Sequence, residues 1–157
     1  MDTTTASLAK YKMFIGGEWT DAASGATFES HNPFTGKPWA LIPRGGAEDV
    51  DRAVRAAHKA FTEGDWPKLN ATQRGALLRK LGDLIGPKAR QLAEVEVRDN
   101  GKLISEMGAQ TQYMAQWYYY FGGLADKIEG SVLPTDKADT FNYTRHEPLG
   151  VVAAIVP

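Results

Sequence analysis

The 157-residue chain contains no cysteine. That absence excludes disulfides, thiolate metal sites and a cysteine nucleophile within these residues. It has no basic excess: 18 Lys and Arg stand against 19 Asp and Glu, a formal charge of −1, which argues against nucleic acid as a partner. Its longest apolar run, Val151 to Val156, falls far short of the roughly 18 residues needed to cross a bilayer. No Gly-x-Gly-x-x-Gly phosphate fingerprint occurs. His31, His58 and His146 lack the spacing of metal ligands and read as structural or solvated. The opening segment, Met1 to Lys10, is polar and Thr-rich, without the basic and apolar regions of a signal peptide. It reads as part of a frayed arm covering residues 1–12, and a cytoplasmic protein without membrane contact is the expectation.

What is present is ordinary for a globular domain: 43% apolar and 24% charged residues. Gly16-Gly17 between Lys12–Ile15 and Glu18–Thr20 predicts a tight hairpin. Ala26–His31 and Trp39–Ile42 are further short strands around the Asn32–Pro38 turn, so the first 45 residues read as a small β-meander. Helices follow. Val50, Ala53, Val54, Ala57, Ala60 and Phe61 form one stripe of a helix over Ala47–Thr62. Asn70-x-x-Gln73 is a capping box ahead of a stripe of Leu77, Leu78, Leu81, Leu84 and Ile85, stopped by Gly86-Pro87. A third helix spans Lys88–Asp99 and ends at the left-handed pair Asn100-Gly101. A fourth, Leu103–Glu129, is apolar on two faces and is expected to be buried on two sides. Val132-Leu133 and the alternating Phe141–His146 suggest a hairpin arm.

The last segment, Val151–Val156, has no polar face and reads as a strand covered on both sides in a parallel sheet. Such a strand needs a partner reached by a long crossover, and no other segment is comparable. Two explanations stay open from the residues alone. The chain is the front part of a larger α/β protein, or it is a compact α+β domain whose last strand pairs with the opening meander.

Several segments, taken in order, resemble the aldehyde dehydrogenase superfamily. They are Phe14-Ile15-Gly16-Gly17-Glu18-Trp19, Asn32-Pro33-Phe34-Thr35-Gly36, Val50-Asp51-Arg52-Ala53-Val54, Asp99-Asn100-Gly101-Lys102, Ala125-Asp126-Lys127 and Glu147-Pro148-x-Gly150-Val151-Val152. The resemblance runs from about Met13 to Pro157 and favours the first explanation. It implies an α/β fold seen only in its N-terminal part. Residues 13–131 would begin the NAD(P)-binding domain with a meander and four helices. Residues 132–148 would be an oligomerisation hairpin, and 149–157 the first strand of a Rossmann-like sheet, cut short. The implied reaction is oxidation of an aldehyde to a carboxylic acid with NAD or NADP. It proceeds through a thiohemiacetal and thioester on a cysteine that this chain does not contain, in a cytoplasmic homodimer or homotetramer. The family motif continues past Ile155-Val156-Pro157 to an oxyanion-hole asparagine that is also missing, so the chain alone is expected to be inactive.

The resemblance also implies sites. Ile155, Val156 and Pro157 would meet the cofactor, mainly through backbone, beyond the carboxyl end of a strand; their side chains are otherwise plain core. Asp99 would hold a monovalent cation with carbonyl oxygens at Ser30 and His31, hard-oxygen chemistry, or would merely support the helix end. Tyr113, Met114 and Trp117 would wall a substrate tunnel suited to aromatic, aliphatic or quaternary-ammonium aldehydes, or would pack in the core. Two other functions stay open: a non-catalytic binding or oligomerisation module, and an acyl-CoA-forming semialdehyde dehydrogenase.

Overall fold

The structure, a computed structural model, describes residues 8–156. Five strands open the chain: β1 (Ala9–Lys10), β2 (Met13–Ile15), β3 (Glu18–Thr20), β4 (Thr27–His31) and β5 (Pro38–Pro43). They do not form one meander. β5 is the centre of a three-stranded sheet, with β4 antiparallel on one edge and β1 parallel on the other. The β2–β3 hairpin stands apart as its own ribbon. With β4 and β1 on its two sides, the central strand β5 has no edge left for the hairpin. Its turn is the expected one, with φ of +63° at Gly16 and +93° at Gly17, the backbone that a two-residue primed turn requires.

The arm reading of residues 1–12 falls partly outside the described residues. Within them it is corrected: Ala9 and Lys10 lie in register with Ala40 and Leu41, and the Tyr11 N–H donates to the Leu41 carbonyl at 3.0 Å. Tyr11 then meets Trp39 edge-to-face at 5.8 Å. Two backbone pairings and an aromatic contact fix a segment whose polar composition suggested fraying.

Four helices follow: α1 (Ala47–Thr62), α2 (Ala71–Ile85), α3 (Ala89–Asn100) and α4 (Ile104–Leu124). A 3₁₀ turn, Trp66–Lys68, precedes α2, and another, Gly86–Lys88, joins α2 to α3. The capping box forms as expected. Asn70 Oδ1 accepts from the Gln73 N–H at 2.9 Å, and Gln73 Oε1 accepts from the Asn70 N–H at 3.0 Å. α3 ends in Gly101 at φ +76°, its N–H on the Val97 carbonyl at 3.0 Å. α4 is shorter than expected. It stops before Asp126-Lys127, where the Lys127 Nζ donates to the Gly123 carbonyl at 2.9 Å and neutralises a free helix-end acceptor.

The packing differs from the periodicity in three places. The α1 stripe lies open: Val50 is 61% exposed and Val54 49%, because among the described residues no element covers it. Leu77, Leu81 and Leu84 of α2 are likewise exposed. What α2 buries is Gly75 and Gly82, seven residues apart on one face. A side chain at either would run into α4: at Gly75 into the Gly122 carbonyl oxygen, at Gly82 into the Tyr119 ring and the Ala115 carbonyl. The glycines therefore allow two backbones to approach closely. α4 buries one face rather than two. Met107, Thr111 and Ala115 point inward, and Thr111 satisfies its hydroxyl by donating to the Met107 carbonyl at 2.7 Å. The core is thus thin: Ala89 and Ala93 of α3 with Met107 and Ala115 of α4, and Ala40 buried in the sheet.

Beyond α4, β6 (Val132–Leu133) and β7 (Asn142–Tyr143) pair antiparallel, Val132 opposite Tyr143. The Thr144 N–H extends the ladder to the Ser131 carbonyl at 2.8 Å. The hairpin exists but is short, and both strands are exposed. Over Val151–Val156 the expected strand is unpaired, and no strand forms among these described residues. Val152 is 74% exposed and Ile155 98%. A strand exists only when a neighbour supplies hydrogen bonds, and no described segment offers an edge to this one.

Candidate functional site

Ser30, His31 and Asp99 come from the end of β4 and the end of α3, brought together by the packing of α3 beneath β4. The Ser30 hydroxyl donates to Asp99 Oδ1 at 2.5 Å, across 69 residues of sequence. The Trp39 indole N–H on the adjoining strand donates to the same Ser30 oxygen at 3.1 Å. Trp39 was not among the sequence candidates. Its cross-strand position beside β4 was the only hint. The His31 ring does not join this group and pairs with Glu29 at 3.4 Å. A carboxylate and a hydroxyl at one junction are hard-oxygen groups, the chemistry a monovalent cation takes. Among the described residues no group of three His, Cys, Asp or Glu could hold a metal ion. Any ion here would therefore lean on main-chain oxygens.

On α4, Tyr113 and Trp117 stack edge-to-face at 5.7 Å, and Trp117 lies nearly parallel to Phe121 at 6.4 Å. Tyr120 adds an edge contact to Phe121 at 5.3 Å. Steps of four residues set these rings in a ladder along one helix face. Tyr113, Trp117, Tyr120 and Phe121 are each more than half exposed, and Met114 beside them is half-buried. The core-packing alternative for Tyr113 and Trp117 therefore does not hold in this chain: the rings face outward. Phe121 belongs with this ladder.

Of Ile155, Val156 and Pro157, the last lies outside the described residues. The two described residues offer exposed apolar side chains on an unpaired backbone.

A further polar centre lies at the start of α1. Asp49 is 3% exposed. Its carboxylate accepts from the Gly46 N–H at 2.9 Å, from the Ala23 N–H at 3.0 Å and from the Arg52 guanidinium at 3.0 Å. These bonds, that to Gly46 foremost, hold its carboxyl below the ordinary carboxylate range. It caps the helix and ties down the loop before β4. Elsewhere, the Tyr119 hydroxyl donates to Asp83 at 2.8 Å, which raises its pKa. Arg145 pairs with Glu147 and lowers that carboxyl.

Comparison with known proteins bears on these sites. The model of the aldehyde dehydrogenase family matches residues 19–157. A (Z)-2-((N-methylformamido)methylene)-5-hydroxybutyrolactone dehydrogenase from Acinetobacter baylyi is 47% identical over 150 residues, 96% of this chain and 30% of that protein. The mitochondrial aldehyde dehydrogenase of Equus caballus is 44% identical over 149 residues, 93% of this chain and 29% of that protein. Among solved structures, the aldehyde dehydrogenase of Bacillus cereus in complex with NAD+ superimposes with a TM-score of 0.83 at 39% identity. The match covers 89% of this chain and 28% of that one. The chain thus spans about 30% of the length of the curated relatives it matches. With sequence and fold in agreement over nearly all of its residues, the chain belongs to the aldehyde dehydrogenase family.

Proposed function

We propose that this sequence is the leading part of an NAD(P)-dependent aldehyde dehydrogenase. The longer protein oxidises an aldehyde to a carboxylic acid, forming a thiohemiacetal and then a thioester on a cysteine outside these residues. The continuous family match over residues 19–157 carries this reading. Acyl transfer of this kind needs an activated thiolate, donors for the developing oxyanion and a base for water. This chain has no cysteine to serve as the thiolate.

The contribution of this segment is positional. The Ser30–Asp99 contact fastens α3 to β4 and would gain a monovalent cation as a third participant. The outward ladder of Tyr113, Trp117 and Phe121, with Met114, is the wall that would meet an aldehyde's apolar or cationic tail. The hairpin of residues 132–148 would join subunits by offering strand edges to a neighbour.

The test is the coding sequence carried past residue 157. The product should contain a later cysteine and glutamate and form NADH or NADPH with an aldehyde panel, followed by absorbance. The 157-residue chain, verified by intact mass, should show no turnover. Turnover by the short chain, or none by the extended protein with any aldehyde and either cofactor, would overturn the reading.

A further inference from the structure

Asn100 and Gly101 are the one Asn-Gly pair in the sequence; the other three asparagines precede Pro33, Ala71 and Tyr143. An asparagine followed by glycine can cyclise, because a nucleophilic nitrogen with no neighbouring Cβ reaches the side-chain carbonyl unhindered. The structure adds what sequence alone does not. Asn100 is exposed at the last turn of α3. Its Oδ1 accepts from the Lys102 N–H at 2.9 Å, which draws electrons from the amide carbon. Its Nδ2 donates to Glu96 Oε1 at 3.1 Å, which fixes the amide's orientation. The nucleophile is restrained by a single bond, from the Gly101 N–H to the Val97 carbonyl at 3.0 Å.

We propose that Asn100 is a site of spontaneous deamidation gated by the last turn of α3, and that its conversion loosens α3 from β4. When the turn opens, the Gly101 nitrogen loses its proton and bonds to Asn100 Cγ. The Cγ–Nδ2 bond breaks and ammonia leaves, giving a cyclic imide. Water then opens the ring at either carbonyl. Attack at Cγ gives aspartate; attack at the main-chain carbonyl gives isoaspartate, which adds a methylene to the backbone. Neither oxidant nor reductant is involved.

The junction is poorly placed to absorb either product. Gly101 packs beneath Pro33, so closely that a Cβ there would stand 3.2 Å from the proline's Cβ. The preceding residue, Asp99, holds the Ser30 hydroxyl. A longer backbone displaces one or the other. A new carboxylate beside Asp99 and Glu96 also opposes the negative end of the α3 dipole.

The experiment incubates the 157-residue chain at mildly alkaline pH with and without urea and maps conversion at each asparagine by peptide mass. Asn100 should convert before Asn70 and Asn142. Its rate in native buffer should be at least about tenfold below that in urea, equivalent to about 1.4 kcal/mol of local opening. The converted fraction, separated by its extra negative charge, should melt below the parent, and Asn100→Gln should abolish that fraction. Equal rates with and without urea, earlier conversion at another asparagine, or an unchanged melt of the converted fraction would each overturn the proposal.

Discussion

Substituting Gly82 by alanine sets two opposing effects against each other. In an exposed helix interior the change favours folding by about 1 kcal/mol, since glycine has the larger backbone entropy to lose. Here the added Cβ would lie 2.8 Å from Tyr119 Cε1 and 3.1 Å from the Ala115 carbonyl oxygen. To reach the 3.4 Å of ordinary contact the ring must retreat by roughly 0.6 Å. It is held by its hydroxyl on Asp83 at 2.8 Å, the residue next to Gly82. Overpacking of this kind costs about 1–3 kcal/mol and outweighs the propensity gain. The expected net loss is up to about 2 kcal/mol, and at about 2–4 °C per kcal/mol for a chain of this size the midpoint should fall by up to several degrees. Gly108→Ala is the control. It lies in α4 with nothing within 4 Å of its Cβ position, so it should gain up to about 1 kcal/mol. Thermal melts by far-ultraviolet circular dichroism compare the two. If Gly82→Ala melts at or above the parent while Gly108→Ala behaves as expected, the close approach of α2 and α4 is not what holds the helices together.

Asp49→Asn should flatten the acid limb of stability. The native carboxyl titrates below its ordinary value. Its contribution is therefore full above the unfolded value of about 3.9 and is lost as pH falls through the lower native value. Urea titrations across that range should show the parent losing stability with acid more steeply than the variant. Asn70→Ala removes the acceptor for the Gln73 N–H and should cost about 1 kcal/mol, read from the same melts. Ser30→Ala removes the hydroxyl that joins β4 to α3. It should speed amide exchange at the end of α3 while leaving α4 unchanged.

Local structure was legible in the residues wherever a side chain or glycine acts on its own backbone. The Gly16-Gly17 turn, the Asn70–Gln73 box and the Gly101 cap each form as read, because their bonds close within a few residues. The Ser30–Asp99 pairing came from the family resemblance, since no local rule joins residues so far apart. The Asp49 centre was only half visible. Its helix-capping bond is local, but its bond to Ala23 depends on where the loop before β4 is carried.

Hydrophobic period reports that a face is apolar, not that something will cover it. The stripes of α1, α2 and α4 each predicted burial. Instead the described chain buries the glycine face of α2 and one face of α4, and leaves Val50, Leu84 and the Tyr113–Phe121 ladder in solvent. Val151–Val156 makes the same point for strands: composition can ask for a sheet, and only a neighbouring edge can supply one. The sequence by itself therefore determined the four helices, the β2–β3 hairpin, the caps and the family, which rest on bonds between near neighbours or on the ordered motifs. Tertiary structure decided which faces are buried, which edges of β5 are taken and which distant polar groups meet, because those depend on partners the chain brings near only when it folds.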